Sequence, residues 1–319
     1  MNVLITGATG FVGGAVVQRL AEEKKHVVRA AVRQLSDVLP SEVSQVQVGS
    51  LAANTDYTEA LQGMDVVIHA AARVHIMDDD ASDPLAEFRK VNVDGTLNLA
   101  RQAVEEGVKR FVFISSIKVN GESTPSGQDF TPDDAVTTQD PYGLSKWEAE
   151  QGLFELASET GMEVVVIRPP LIYGKGVKAN FYKMIQWVNK GIPLPLGAIH
   201  NQRSLVALDN LVNFIIHCID HPKAANEVFL ISDGEDVSTT ELLQKVAKAL
   251  GKPARLIPIP VSLMCFFATL FGKKDVADRL FGSLQVDSSK ACDLLGWKPL
   301  ITMDEELKKT IGAYHETAT

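Results

Sequence analysis

The first thirteen residues, MNVLITGATGFVG, constrain the fold more than any other stretch. The apolar run NVLIT reads as a buried strand, and FVGGAVVQRLAEE, starting at Phe11, carries helical periodicity. Between them Gly7, Gly10 and Gly13 stand three residues apart. Glycine at these places lets the chain turn tightly and lets strand, helix and ligand approach bare backbone. The helix that follows aims its first N–H groups at whatever sits in the turn, which suits a pyrophosphate. The spacing therefore predicts a dinucleotide held by Gly7, Gly10, Phe11, Val12 and Gly13. An ordinary strand–helix turn is the plainer alternative.

Beyond this turn the first half alternates strand and helix signals. Apolar runs recur at HVVRAAV, VQV, DVVIHAA, RFVFISS and EVVVIRP, with a long helical pattern at PLAEFRKVNVDGTLNLARQAVEEG. Such alternation means βαβ units and a parallel sheet with right-handed crossovers. From about residue 175 the pattern loosens into Gly- and Pro-punctuated segments such as YGKG and GIPLPLG. The expected architecture is α/β: a Rossmann-like, doubly wound parallel sheet over residues 1–174, with a smaller, mostly helical region over 175–319. Some of the later segments are expected to return to the first region. In a chain of 319 residues, a hydrophobic fraction of 45% is ample for such a core.

A net charge of −9 argues against a nucleic-acid surface, so any anionic ligand must be held by a few local cations. Cys218, Cys265 and Cys292 are odd in number and show no metal-ligand spacing, which fits a reducing cytoplasm. No export signal is evident at the start, and a cytoplasmic protein without a transmembrane segment is expected. The longest apolar stretch, VSLMCFFATLFG at 261–272, is too short to span a bilayer. A buried or ligand-covering helix is the expectation there, with membrane-surface contact the lesser alternative. The acidic run at 78–80 reads as a solvated turn, so no metal site is expected, and His75 reads as an exposed loop residue, the alternative being one that reaches a ligand.

Ligands of open parallel sheets sit outside the carboxyl ends of the strands, so those ends matter most. The second strand ends on Val32 and Arg33 where an NAD site would place an acidic residue for the ribose hydroxyl. Arg33 suits a 2′-phosphate, which favours NADP(H), with NAD(H) possible; a solvated arginine is the bland alternative. After the fourth strand, Ala70 and Ala71 are small enough for a cofactor to lie on the backbone. The fifth delivers Ser115 and Ser116 to the same edge. In DPYGLSKWEAE, Asp140 reads as an N-cap and Pro141 as the first helical residue. Tyr142 and Lys146 then share a helix face. A unit charge about 4 Å from the phenol, at an effective dielectric of about 20, is worth roughly 4 kcal/mol. Lys146 is thus expected to make Tyr142 a usable base.

Together, Gly7/Gly10/Gly13, Ser116 and Tyr142-x-x-x-Lys146 resemble the extended short-chain dehydrogenase/reductase superfamily of epimerases, dehydratases and reductases. The later segments RPPLIYG, RSLVALDNL and LGWKP resemble it too, so the likeness spans nearly the whole chain. It implies that Ser116, Tyr142 and Lys146 are catalytic, that Lys146 also holds the nicotinamide ribose, and that Pro169 lies by the cofactor. It further implies that Asn180, Arg203 and Arg279 approach the diphosphate of a nucleotide sugar, UDP-linked, and that a homodimer is possible. Dehydratases of the family carry an Asp–Glu pair where this chain has Ile117 and Lys118, which speaks against water elimination. The motifs most resemble 4-reductases of bacterial surface-polysaccharide (O-antigen) pathways, and Arg33 leans the same way. The expected reaction is reduction of a UDP-4-keto-6-deoxy-N-acetylhexosamine, the alternative a UDP-sugar 4-epimerase with bound NAD. A dinucleotide-sensing regulator is a third possibility, against which the full Ser–Tyr–Lys set argues.

Overall fold

The computed structural model describes residues 1–74, 83–272, 277 and 280–318. Strands β1 (Asn2–Thr6), β2 (Val27–Val32), β3 (Ser44–Gln47), β4 (Val66–His69), β5 (Arg110–Ile114) and β6 (Glu163–Arg168) form one sheet. β9 (Glu227–Leu230) joins it at the edge of β6, and the order is β3-β2-β1-β4-β5-β6-β9. Every pairing is parallel. A second, two-stranded sheet pairs β7 (Leu171–Tyr173) with β8 (Leu205–Ala207).

Strand period explains the layering. Val3 and Ile5 point into a core shared with α1 (Phe11–Glu23) and α7 (Leu208–His217), whereas Leu4 points into the opposite one. That second core is shared with α2 (Thr58–Leu61), α4 (Thr96–Glu105) and α5 (Pro141–Thr160). Burial on both faces is why the strands read as continuous apolar runs. The long helical pattern after residue 83 is not one α-helix. It comprises α3 (Pro84–Phe88), a π-helical segment Arg89–Gly95, and then α4.

The C-terminal segments build a third core from α6 (Ala179–Asn189), α8 (Thr239–Ala249) and the helix Met303–Ala318. Glu306 of that last helix is 1% exposed. It lies under Gly174, whose φ of 155° and close neighbours (Glu306 Oε1 would be 2.5 Å from a Cβ) exclude a side chain. One carboxylate oxygen of Glu306, Oε2, is buried without a hydrogen-bond partner. Helix α9 (Val261–Leu270) is not the buried element that was one of the expectations for it: none of its residues is buried. Among the described residues no helix is long and apolar enough to cross a membrane.

Candidate active site

The glycine turn sits at the carboxyl edge of β1, and its geometry needs glycine. Gly7 has φ of 69°, and a Cβ there would come within 2.7 Å of the Ala70 carbonyl carbon and the Ala71 nitrogen. A Cβ on Gly13 would lie 2.3 Å from the Gly7 carbonyl oxygen. The ends of β1 and β4 and the first turn of α1 are therefore in backbone contact. Gly10 caps α1 without a side-chain hydrogen bond, and no acidic residue stands in the first turn. Its positive end is thus presented to an anion, with Phe11 and Val12 half-buried beside it. This cradle fits a dinucleotide pyrophosphate. Arg33 stands exposed just past the end of β2, beside buried Val32.

Beneath the turn lies His69, which sequence reading passed over. Its Nδ1 is 2.6 Å from Thr6 Oγ1 and its Nε2 is 2.9 Å from Thr96 Oγ1. Burial, with the Lys146 charge adding, pushes its pKa down to about 3, so it is a neutral clasp between β1, β4 and α4.

The loop after β5, which carries Ser116, is fastened to the start of α5, which carries Tyr142. Asp140 accepts from the Gly143 N–H at 2.9 Å, and Pro141 opens α5 as expected. Lys118 donates to Asp140 at 2.9 Å and so fastens the start of α5 to the loop after β5. A Cβ on Gly143 would be 2.5 Å from the Lys118 carbonyl oxygen, which shows how closely loop and helix approach. Ser116 caps a single 3-10 turn, Ile117–Val119, accepting from the Lys118 N–H at 3.2 Å. The Tyr142 ring is half-buried and packs edge-on against Phe88, centroids 5.8 Å apart.

The electrostatics of the pair run against expectation. Lys146 is 2% exposed, and its Nζ donates to the Ile114 carbonyl at 2.8 Å, over the Phe113 ring at 4.4 Å. Burial lowers its pKa to about 7, with Glu150 pulling the other way. Tyr142 is raised to about 12, by burial first and the Asp140 carboxylate second. The protein's own groups therefore hold the phenol as an acid. The spacing put lysine and tyrosine on one face, as read, but the ammonium is engaged by a backbone carbonyl.

Two supporting clusters were missed by sequence reading. Asn92, in the π-helical segment, accepts from the Arg73 N–H and donates to the Arg73 carbonyl and to Ser145 Oγ. It pins the chain after β4 to α5. Glu150 and Arg168, both buried, form a bidentate pair with N···O distances of 2.5 and 3.1 Å. Ser115 Oγ donates to Glu150, and Arg168 donates to Asn120 at 3.0 Å. Glu150 sits four residues after Lys146, a helical spacing that was available as a signal.

The remaining predicted residues are spread more widely. Pro169 is buried, and its carbonyl accepts from the Ile117 N–H at 3.0 Å, joining the ends of β5 and β6. Asn180 is exposed in the first turn of α6. Arg203 is partly buried with its pKa lowered by burial, and it donates to the Gly282 carbonyl at 3.1 Å. Arg279, His75 and residues 78–80 lie outside the described residues.

A parallel sheet in this strand order, with a glycine turn at its carboxyl edge, defines a Rossmann-like dinucleotide fold. Within that class the chain belongs to the NAD dependent epimerase/dehydratase family, whose pattern matches residues 3–232. It is 51% identical over 314 residues to a UDP-glucose 4-epimerase of Vibrio cholerae, covering 98% of this chain and 95% of that protein. It is 30% identical to an N-acetyl-alpha-D-glucosaminyl-diphospho-ditrans,octacis-undecaprenol 4-epimerase of Escherichia coli O157:H7, covering 97% of this chain and 94% of that one. In structure it is similar to the UDP-glucose 4-epimerase of Thermotoga maritima, solved with UDP-glucose. That likeness has a TM-score of 0.79 at 23% identity, covers all of both chains, and carries the fold.

Proposed function

We propose that this protein is a UDP-sugar 4-epimerase. The observation that carries the reading is the end-to-end 51% identity to a UDP-glucose 4-epimerase. It favours the epimerase alternative over the 4-reductase that the sequence motifs first suggested. Residues 1–174 bind the dinucleotide, and 175–319 supply most of the sugar-nucleotide contacts, Asn180, Arg203 and Arg279 among them. NAD, which Gly7, Gly10 and Gly13 would hold, would supply the hydride acceptor and donor for carbon 4. Tyr142 takes the proton of the 4-hydroxyl as that carbon becomes a ketone, and returns a proton when the alcohol re-forms with the opposite configuration. Ser116 hydrogen-bonds the reacting oxygen. Lys146, its ammonium held on the Ile114 carbonyl, would bind the nicotinamide ribose beside the phenol. The three cysteines are all free thiols, which suits a reducing cytoplasm.

Arg33 favours the second reading, an NADP(H)-dependent 4-reductase. One experiment separates the two. The purified protein is given UDP-glucose with no added cofactor, products are resolved chromatographically, and the dinucleotide released on denaturation is identified. Interconversion with UDP-galactose and release of NAD support the epimerase. Turnover should fall about 10²- to 10⁴-fold in Tyr142→Phe, with UDP binding retained. Inertness toward UDP-glucose, with NADPH consumed by a 4-keto nucleotide sugar, would establish the reductase instead.

A further inference from the structure

Helix α9 has the composition of a core element and the position of a surface one. Its sequence VSLMCFFATL carries no charge. Leu263, Phe266, Phe267 and Leu270 recur at i, i+3, i+4 and i+7, the stripe that a helix of a globular domain turns inward. Here those four are 47%, 64%, 47% and 67% exposed, and Phe271 beyond them is 72% exposed. The approach to the helix continues the patch. Leu194 donates to the Arg255 carbonyl and accepts from the Ile257 N–H, so the segments that carry exposed Ile192 and exposed Ile257 run side by side. The Ile192 N–H in turn donates to the carbonyl of Trp187, itself 48% exposed.

The segments that lead to this surface are short of acidic residues. Although the chain carries 40 acidic residues against 31 basic, there is no Asp or Glu between Val164 and Leu208, nor between Leu242 and Gly272. Arg168 and Arg203 are turned inward, and Lys245 and Lys248 are held by Asp304. Lys183, Lys190, Lys252 and Arg255 remain exposed on these segments. Lys252 and Arg255 donate to Asn189 and to the Gly191 carbonyl, neutral acceptors, and neither has an ion pair among the described residues.

An apolar helix about 15 Å long cannot span a bilayer, but it can lie in the interface with cations at headgroup level. A second copy of this chain suits the surface poorly, because a two-fold contact would set these cations against their own counterparts. We propose that α9 and the adjoining segments dock the protein onto the anionic surface of a lipid bilayer. This rests on exposure and charge alone and is independent of the reaction assigned above.

Co-sedimentation of the full chain with vesicles tests it, using phosphatidylcholine alone and phosphatidylcholine containing one third phosphatidylglycerol. The protein is expected to partition to the anionic vesicles at low salt and to be released by high salt. Phe266→Ser with Phe271→Ser should weaken partitioning at least about tenfold while leaving the melting temperature unchanged. Lys252→Glu with Arg255→Glu should weaken it on anionic vesicles at undiminished soluble turnover. Failure to partition to anionic vesicles would overturn the proposal, as would wild-type partitioning of the phenylalanine variant. So would light scattering that finds a dimer dissolved by the same phenylalanine substitutions, since a second copy would then cover the patch.

Discussion

Glu306→Gln isolates the energetic cost of one buried carboxyl. Glu306 has its pKa raised from 4.5 to about 8, by burial first, then by the Asp209 carboxylate, with Lys309 opposing and Asp233 adding. The native state therefore holds this proton over a range in which the unfolded chain has released it. The stabilisation it brings is present at low pH and is lost as pH rises through about 8. The difference of 3.5 pH units corresponds to about 5 kcal/mol in full. About 4 kcal/mol of that lies between about pH 5 and about pH 9, of which roughly 1.4 kcal/mol is left at neutrality. Glutamine matches the shape of the protonated acid and does not titrate. The variant should thus match the wild type near pH 5 and exceed it near pH 9. At roughly 2 °C per kcal/mol, the gap in melting temperature should open by about 8 °C. Thermal melts of both proteins across that range measure it. Parallel profiles would mean that Glu306 is ionised in the native state and that the reasoning from its burial fails.

Gly13→Ala places a methyl 2.3 Å from a backbone oxygen, which no side-chain movement relieves. Dinucleotide affinity, followed by titration, should fall at least about tenfold; an unchanged affinity would show that the turn is not the cofactor cradle. Glu150→Gln strips the counter-charge from buried Arg168, and the expected loss is about 3–5 kcal/mol of stability. Replacing both residues by leucine should cost much less than the sum of the single changes; simple additivity in thermal melts would dismiss the pair as a unit.

The parts of this protein that were legible in its sequence are those set by local spacing. Gly7, Gly10 and Gly13 between a strand and a helix, and Asp140-Pro141 ahead of α5, act over a few residues, and the structure holds them as read. The π-helical segment was hidden because one extra residue per turn leaves no mark on an apolar pattern, so the role of Asn92 was hidden with it. The Tyr142–Lys146 spacing identified a shared face but not the direction of the ammonium, which the Ile114 carbonyl decides. The burial of α9 was not legible because an apolar stripe records what a helix can bury, not what stands opposite it. Arg33 leaned the reading toward NADP(H) and so toward a reductase, but a single cation at a strand end does not decide the reaction at the sugar.

The place of β9 in the main sheet bears on how this chain is made. β6 is buried along Val164–Arg168, yet its outer neighbour is Glu227–Leu230, far downstream in the sequence. During synthesis the first six strands emerge with the β6 edge carrying unpaired N–H and C=O groups. That edge stays open until the α6–α7 stretch has been translated and β9 can dock. Parallel pairing over such a separation is slow to form. Until β9 docks, the nascent chain therefore presents a Val-rich strand edge that other chains could pair with.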